Sequence, residues 1–75
     1  MDYFSITTPE DLSVTIRERR EELGLTQAEL AEKAHVSRKW LIDAERGKSR
    51  LELGRALRTL ACLGLELRPH ETGAK

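Results

Sequence analysis

The chain has 75 residues, room for one small domain and no second core. Its 13 Lys/Arg and 13 Asp/Glu cancel, which argues against a generic binder of polyanions. One cysteine, Cys62, excludes an internal disulfide, and His35 and His70 lie too far apart to join a Cys/His cluster at metal-ligand spacing, so no metal or cofactor is expected.

The cancelling charge is divided along the chain. Residues 1–37 hold four Lys/Arg against eight Asp/Glu, and residues 38–75 nine against five, giving −4 and +4. A local field of that kind can steer a polyanion although the total is zero. Aromatic residues make up 4% of the chain, while Leu, Ala, Glu and Arg dominate, so an all-α domain is expected. No apolar run of about 18 residues and no signal-type leader occurs, so the expectation is a soluble, cytoplasmic protein without a membrane partner. A domain this small buries only about 60% of its unfolded surface, and oligomerisation is the usual remedy.

Asp2 to Thr7 is too short to classify and is compatible with an extended arm. A first helix is predicted over 9–23, with Thr8 as N-cap, Pro9 at its first position, Glu10 and Asp11 in the first turn, and Gly24 as the stop. Leu12, Ile16 and Leu23 form its apolar side. A second helix opens on "TQAEL", where Thr26 and Glu29 have the spacing of a capping box, and Leu30, Ala31 and Ala34 face inward. Ser37 caps a third helix that runs to Glu45 and stops at Gly47, with Leu41 and Ala44 as a narrow inner stripe.

A fourth helix is predicted near 52–63, with Leu53, Leu57, Leu60 and Ala61 inward and Gly64 as its end. Gly54 lies inside it at a cost of about 1 kcal/mol relative to Ala, with no local reason. In "LELR", Leu65 and Leu67 alternate with Glu66 and Arg68 before Pro69, the pattern of a half-buried strand over 65–69. A single strand in a helical domain needs a partner, either another chain or the arm at 2–7. Residues 70–75 read as a loose tail, so the whole of 1–75 is taken as one domain with its core in 8–63.

Two short helices joined by about three residues make a helix-turn-helix. Ala31 allows the close crossing, Val36 fills the turn and Leu41 anchors the second helix. His35 occupies a turn position that can require positive φ, where an L side chain is strained.

"LGLTQAELAEKAHVS" followed by "IDAERGK" resembles the XRE/Cro-type helix-turn-helix family. The trailing "LELGRALRTLACLGLELRP" is most similar to the HipB-type antitoxins within it. The resemblance spans roughly residues 8–69. It implies a compact four-helix, lambda-repressor-like domain and a homodimer whose C-terminal strands, Leu65, Glu66, Leu67 and Arg68, pair across a twofold axis. It also implies a repressor of its own operon that binds double-stranded DNA at an inverted repeat, with a HipA-like kinase toxin as partner. A stand-alone regulator, or a module that mainly neutralises a toxin through the acidic side chains Glu18, Glu21, Glu22, Glu29 and Glu32, are the alternatives.

The first turn of a recognition helix reads base edges in the major groove, and Arg38 and Lys39 occupy that turn. Arginine bonds guanine O6 and N7 bidentately for about 1–3 kcal/mol of discrimination. Most exposed cations are only solvated surface, but this placement favours DNA. Ser37 is near enough to meet a base or phosphate, and Ile42 lies one turn on, within reach of a thymine methyl. Gln27 matches the family glutamine that bonds phosphate from the start of the second helix. Arg46, Lys48 and Arg50 follow as phosphate contacts.

Trp40 has two readings, core packing or DNA-backbone contact. Asp43 would repel phosphates unless Lys39 or Arg46 neutralises it or it accepts from a cytosine amino group. Glu45 reads as a structural residue holding the loop after the third helix, and Cys62, placed on the side of Arg55 and Arg58, as a tolerated small residue. No Ser/His/Asp set, glycine-rich phosphate loop or carboxylate pair in a cleft is present, so an enzyme is not expected.

Overall fold

Each helix begins where a side-chain oxygen stands ready to accept an unpaired amide of the first turn. The computed structural model describes residues 6–48 and 50–67. In these, α1 spans Pro9–Glu22, α2 Gln27–Ala34, α3 Arg38–Glu45 and α4 Leu53–Cys62. Thr8 Oγ1 accepts from the Asp11 amide at 3.0 Å and Asp11 accepts in return from the Thr8 amide at 3.1 Å, a full capping box. Thr7 donates to the same carboxylate through its amide and its hydroxyl. These bonds, the Thr7 amide first, hold the Asp11 carboxyl below its ordinary pKa. Thr26 and Glu29 form the second box as predicted, at 2.8 and 3.0 Å. Glu52 caps α4 through the Arg55 amide at 2.8 Å.

The apolar spacing of the four helices converges on one core. Ile16, Leu30, Leu41, Leu60 and Leu63 are essentially without exposure, and Ala31, Ala34, Ala44 and Ala56 fill between them. Helix α2 packs against both α3 and α4, and α1 packs against α3. Alanines at the crossings permit close helix approach, which lets ten- and eight-residue helices share one interior. Arg19 Nε ties α1 to the end of α4 by donating to the Leu63 carbonyl at 3.0 Å.

The inner face of α4 differs from the prediction. Ala56, Thr59, Leu60 and Leu63 point inward, whereas Leu53 (66% exposed), Leu57 (42%) and Ala61 face out. Thr59 tolerates full burial because its hydroxyl donates to the Arg55 carbonyl at 2.8 Å. Leu23 is likewise exposed, since it is the C-cap of α1 rather than part of its buried side. Cys62 is half-buried against the core, not on the open side with Arg55 and Arg58.

Gly54 gains a reason: a Cβ there would lie 3.1 Å from a carboxylate oxygen of Glu52, so the glycine leaves room for the N-cap. Residues 65–67 of the expected strand form no ladder with other described residues of the chain. Leu65 instead half-buries against the chain's own core, its amide donating to the Leu60 carbonyl at 2.9 Å. Arg68 with the tail, and most of the arm at 2–7, lie outside the described residues.

Candidate nucleic-acid interface

The turn between α2 and α3 is made by His35 and Val36 ahead of the Ser37 cap. His35 has φ 58° and ψ 45°, the left-handed conformation, while the other described left-handed positions, 24, 47 and 64, are all glycine. Its amide donates to the Glu32 carbonyl at 3.2 Å, and the Val36 amide to Ala31 at 3.0 Å. The strain anticipated at His35 is therefore present. Val36 packs against the core beside the buried Ala31 and Leu41, the arrangement expected of the motif.

Ser37 Oγ accepts from the Trp40 amide at 2.9 Å, which leaves its hydroxyl hydrogen free to donate. Arg38 and Lys39 stand exposed on the first turn of α3, and Ile42 one turn on is half-buried. Trp40 packs against the core with part of its surface open. After α3, Arg46, Lys48 and Arg50 are all exposed. The guanidinium groups of Arg38, Arg46 and Arg50 bind no other described residue, so they meet an anion without giving up a partner.

Asp43 is the one carboxylate among these cations. Lys39 Nζ lies 3.2 Å and Lys48 Nζ 3.6 Å from its Oδ2. The Lys39 bond, followed by attraction from both lysines, holds the Asp43 carboxyl below its ordinary pKa. Lys48, not Arg46, is the second neutralising residue, because the chain leaving α3 turns back and brings the Lys48 amide to the Asp43 carbonyl at 3.2 Å.

Beneath this surface lies a polar cluster absent from the sequence reading. Arg20 on α1 reaches Glu45 at the end of α3 with two donors, Nε to Oε2 at 2.7 Å and Nη2 to Oε1 at 3.0 Å. Glu45 is 6% exposed, and Gln27 Nε2 donates to its Oε1 at 3.1 Å. Arg20 Nη1 also donates to the Leu25 carbonyl at 2.9 Å. The Glu45 bond outweighs burial and raises the Arg20 pKa, so the guanidinium stays charged. Glu45 thus joins α1, α2 and α3 rather than only the following loop, whose approach is fixed by the Ser13 hydroxyl donating to the Glu45 carbonyl. Gln27 is held by the same carboxylate, with its second amide hydrogen uncommitted among the described bonds. Arg20 was missed because its partner lies 25 positions away, beyond any local spacing.

Among the described residues no three His, Cys, Asp or Glu side chains gather where a metal would bind, and no helix is long and apolar enough to cross a membrane. Two short helices crossing at Ala31, with bare cations on the second, define a helix-turn-helix domain of the XRE type. The chain belongs to the helix-turn-helix family, whose model matches residues 16–69.

It is 37% identical over 62 residues to an HTH-type transcriptional regulator of Sinorhizobium fredii, covering 83% of this chain and 82% of that one. To another from Methanothermobacter thermautotrophicus it is 49% identical over 51 residues, 68% and 74% of the two chains. Its fold is similar to HipB in a complex with an O4 20mer, with TM-score 0.85, 23% identity and coverage of 93% of this chain and 99% of that one. A HipA–HipB–O2–O3 complex gives TM-score 0.85 at 24% identity, with the same coverage. The chain is accordingly a transcriptional regulator of the XRE type with a HipB-like fold.

Proposed function

We propose that the protein is a homodimeric, cytoplasmic repressor that reads an inverted repeat in double-stranded DNA through α3. In this reading it binds rather than catalyses. The observation that carries it is the set of uncommitted cations, Arg38, Arg46 and Arg50, around the exposed first turn of α3. Arg38 and Lys39 reach base edges, with Ser37, Trp40 and Ile42 beside them. Arg46, Lys48 and Arg50 take phosphates, and Gln27 takes another at the positive end of α2.

The dimer would place two α3 helices about 34 Å apart, one turn of DNA. Support comes from apolar surface that a second copy would cover, Leu53 and Leu57 on α4 and Leu67 beyond it. Leu65 to Arg68 pairing across the twofold axis would complete it. Similarity to HipB in HipA–HipB–operator assemblies supports a further step, that a HipA-like kinase toxin is the partner and the pair represses its own operon. The curated relatives, described only as transcriptional regulators, favour a stand-alone regulator as the second reading.

Binding titrations on duplexes selected from a randomised library test the DNA reading. Arg38→Ala is expected to lose discrimination at one base position, by a factor within the roughly 1–3 kcal/mol of a bidentate contact. Arg46→Ala is expected to lower the slope of log affinity against log salt by about 0.9. Unchanged binding in both variants would refute the assignment of α3. For the dimer, Leu67→Pro removes a ladder donor and should shift sedimentation toward monomer. A dimer that survives it but dissociates in Leu57→Glu would place the interface on α4.

A further inference from the structure

Arg58, on the exposed side of α4, is a cation to which the DNA reading gives no task. Its Nε donates to the Ala34 carbonyl at 3.0 Å and its Nη2 to the His35 carbonyl at 3.2 Å. Those two carbonyls sit at the end of α2, where helical partners run out. They are also the peptide planes on either side of His35, and the orientation of each is set by the dihedral angles around that residue. A planar guanidinium binding both with two fixed donors resists rotation of either plane. Its charge is further favoured there by the negative end of the α2 dipole.

The consequence falls on α3. Only His35 and Val36 separate α2 from the Ser37 cap, so the direction of α3 follows from a few backbone angles, and the first belongs to a residue held at φ 58° against the preference of an L side chain. Glycine would occupy that conformation without help. Histidine needs something to hold it, and Arg58 is placed to do so.

We infer that Arg58 is a positioning residue for DNA reading: it clamps the left-handed turn at His35 and thereby sets the angle at which Arg38 and Lys39 on α3 meet the bases. The inference rests on the proposal that α3 reads DNA, but the clamp itself exists in the free protein. Lysine cannot replace it, because one compact ammonium on a flexible stem does not hold two carbonyls in a fixed fork. It also makes α4 a determinant of α3 orientation, although α4 supplies none of the proposed readers.

The test combines Arg58→Ala, Arg58→Lys, His35→Gly and the double variant Arg58→Ala/His35→Gly. Affinity is measured at several salt concentrations for a duplex selected by the wild-type protein and for a scrambled duplex of equal length. Arg58→Ala and Arg58→Lys are expected to lose preference for the selected duplex by about tenfold, the loss of one aligned base contact. The salt slope on scrambled DNA should stay unchanged. His35→Gly in the Arg58→Ala background should restore most of the preference, because glycine holds the turn without the clamp.

A slope reduced by about 0.9 in Arg58→Ala would mean that Arg58 binds phosphate directly, and would overturn the inference. Unchanged preference would overturn it too. Residual dipolar couplings of the free proteins supply a second readout: α3 should reorient relative to α1 in Arg58→Ala and return in the double variant. If the wild type selects no duplex, the repressor reading fails and the couplings decide alone. A reorienting α3 then sustains the clamp, and a fixed one refutes it.

Discussion

The Arg20–Glu45 pair permits a quantitative test of how the three helices of the motif are held together. Its side chains are 13% and 4% exposed, so both charges have largely left water. Breaking such a pair from one side costs about 3–5 kcal/mol, because the survivor remains buried and unpaired. A chain of 75 residues has a total stability of roughly 4–11 kcal/mol, so either single substitution removes a large share. Glu45→Leu should fall at the low end, since Arg20 keeps the Leu25 carbonyl and its long stem can carry the charge outward. Arg20→Met should fall at the high end, because Glu45 keeps only the Gln27 amide.

At about 4–8 °C per kcal/mol, each single variant should melt at least about 12 °C below wild type. The double variant Arg20→Met/Glu45→Leu buries no charge and should return to within about 1–2 kcal/mol of wild type. Urea unfolding of all four proteins at one protein concentration measures the coupling. If the double variant is as unstable as the sum of the singles, the pair does not act as a buried unit and the reasoning fails.

Three further outcomes follow from the structure. Leu41→Ala removes a side chain with 0% exposure where α3 meets the core, and should cost about 2–5 kcal/mol in urea unfolding. Gly54→Ala should change stability by less than about 0.5 kcal/mol, because the gain in helix propensity of about 1 kcal/mol is offset by crowding of the Glu52 cap. In a Glu52→Ala background the same substitution should yield the full gain, and an equal effect in both backgrounds would show that the glycine is unrelated to the cap. Asp11 has its pKa lowered on folding from 3.8, so its contribution is present above that value and lost as pH falls through the lower folded one. Thermal unfolding should therefore weaken below pH ~4 in wild type and do so less steeply in Asp11→Asn.

The sequence shows most clearly what is local. Thr8, Thr26 and Ser37 lie three residues from the amides they satisfy, so the start of each of the first three helices is written within one turn. The motif is legible for the same reason, because Ala31, Val36 and Leu41 lie within eleven residues and their sizes carry the geometry. The phase of α4 is less so. Its leucines stand on two sides, and Leu60 with Leu63 turns inward while Leu53 and Leu57 stay out. Periodicity that counts leucines equally cannot separate them, and Thr59 hides on the buried side by bonding its own helix. Least visible are the arginines whose partners are remote, Arg20 at 25 positions and Arg58 at 24 and 23. Residue type alone leaves such a side chain as surface charge.

That difference among arginines bears on how a chain of zero net charge can address DNA. Arg19, Arg20 and Arg58 direct donors at backbone carbonyls inside the fold, and Arg20 also neutralises Glu45. Lys39 and Lys48 share Asp43. Arg38, Arg46 and Arg50 flank α3 and, like Arg17, Lys33 and Arg55 elsewhere on the surface, engage no other described residue through their side chains. Counting formal charge treats all of these cations alike, whereas a phosphate or guanine gains a full interaction only from a group that gives up none. The acidic excess of the first half therefore need not weaken the site. Where acid comes close to the interface, at Glu45 and Asp43, the fold has already matched it with its own cations. What faces outward around α3 is a set of uncommitted cations beside a turn that Arg58 bonds from α4, so in the proposed reading the strength of DNA recognition depends on the packing of the helix that lies farthest along the chain.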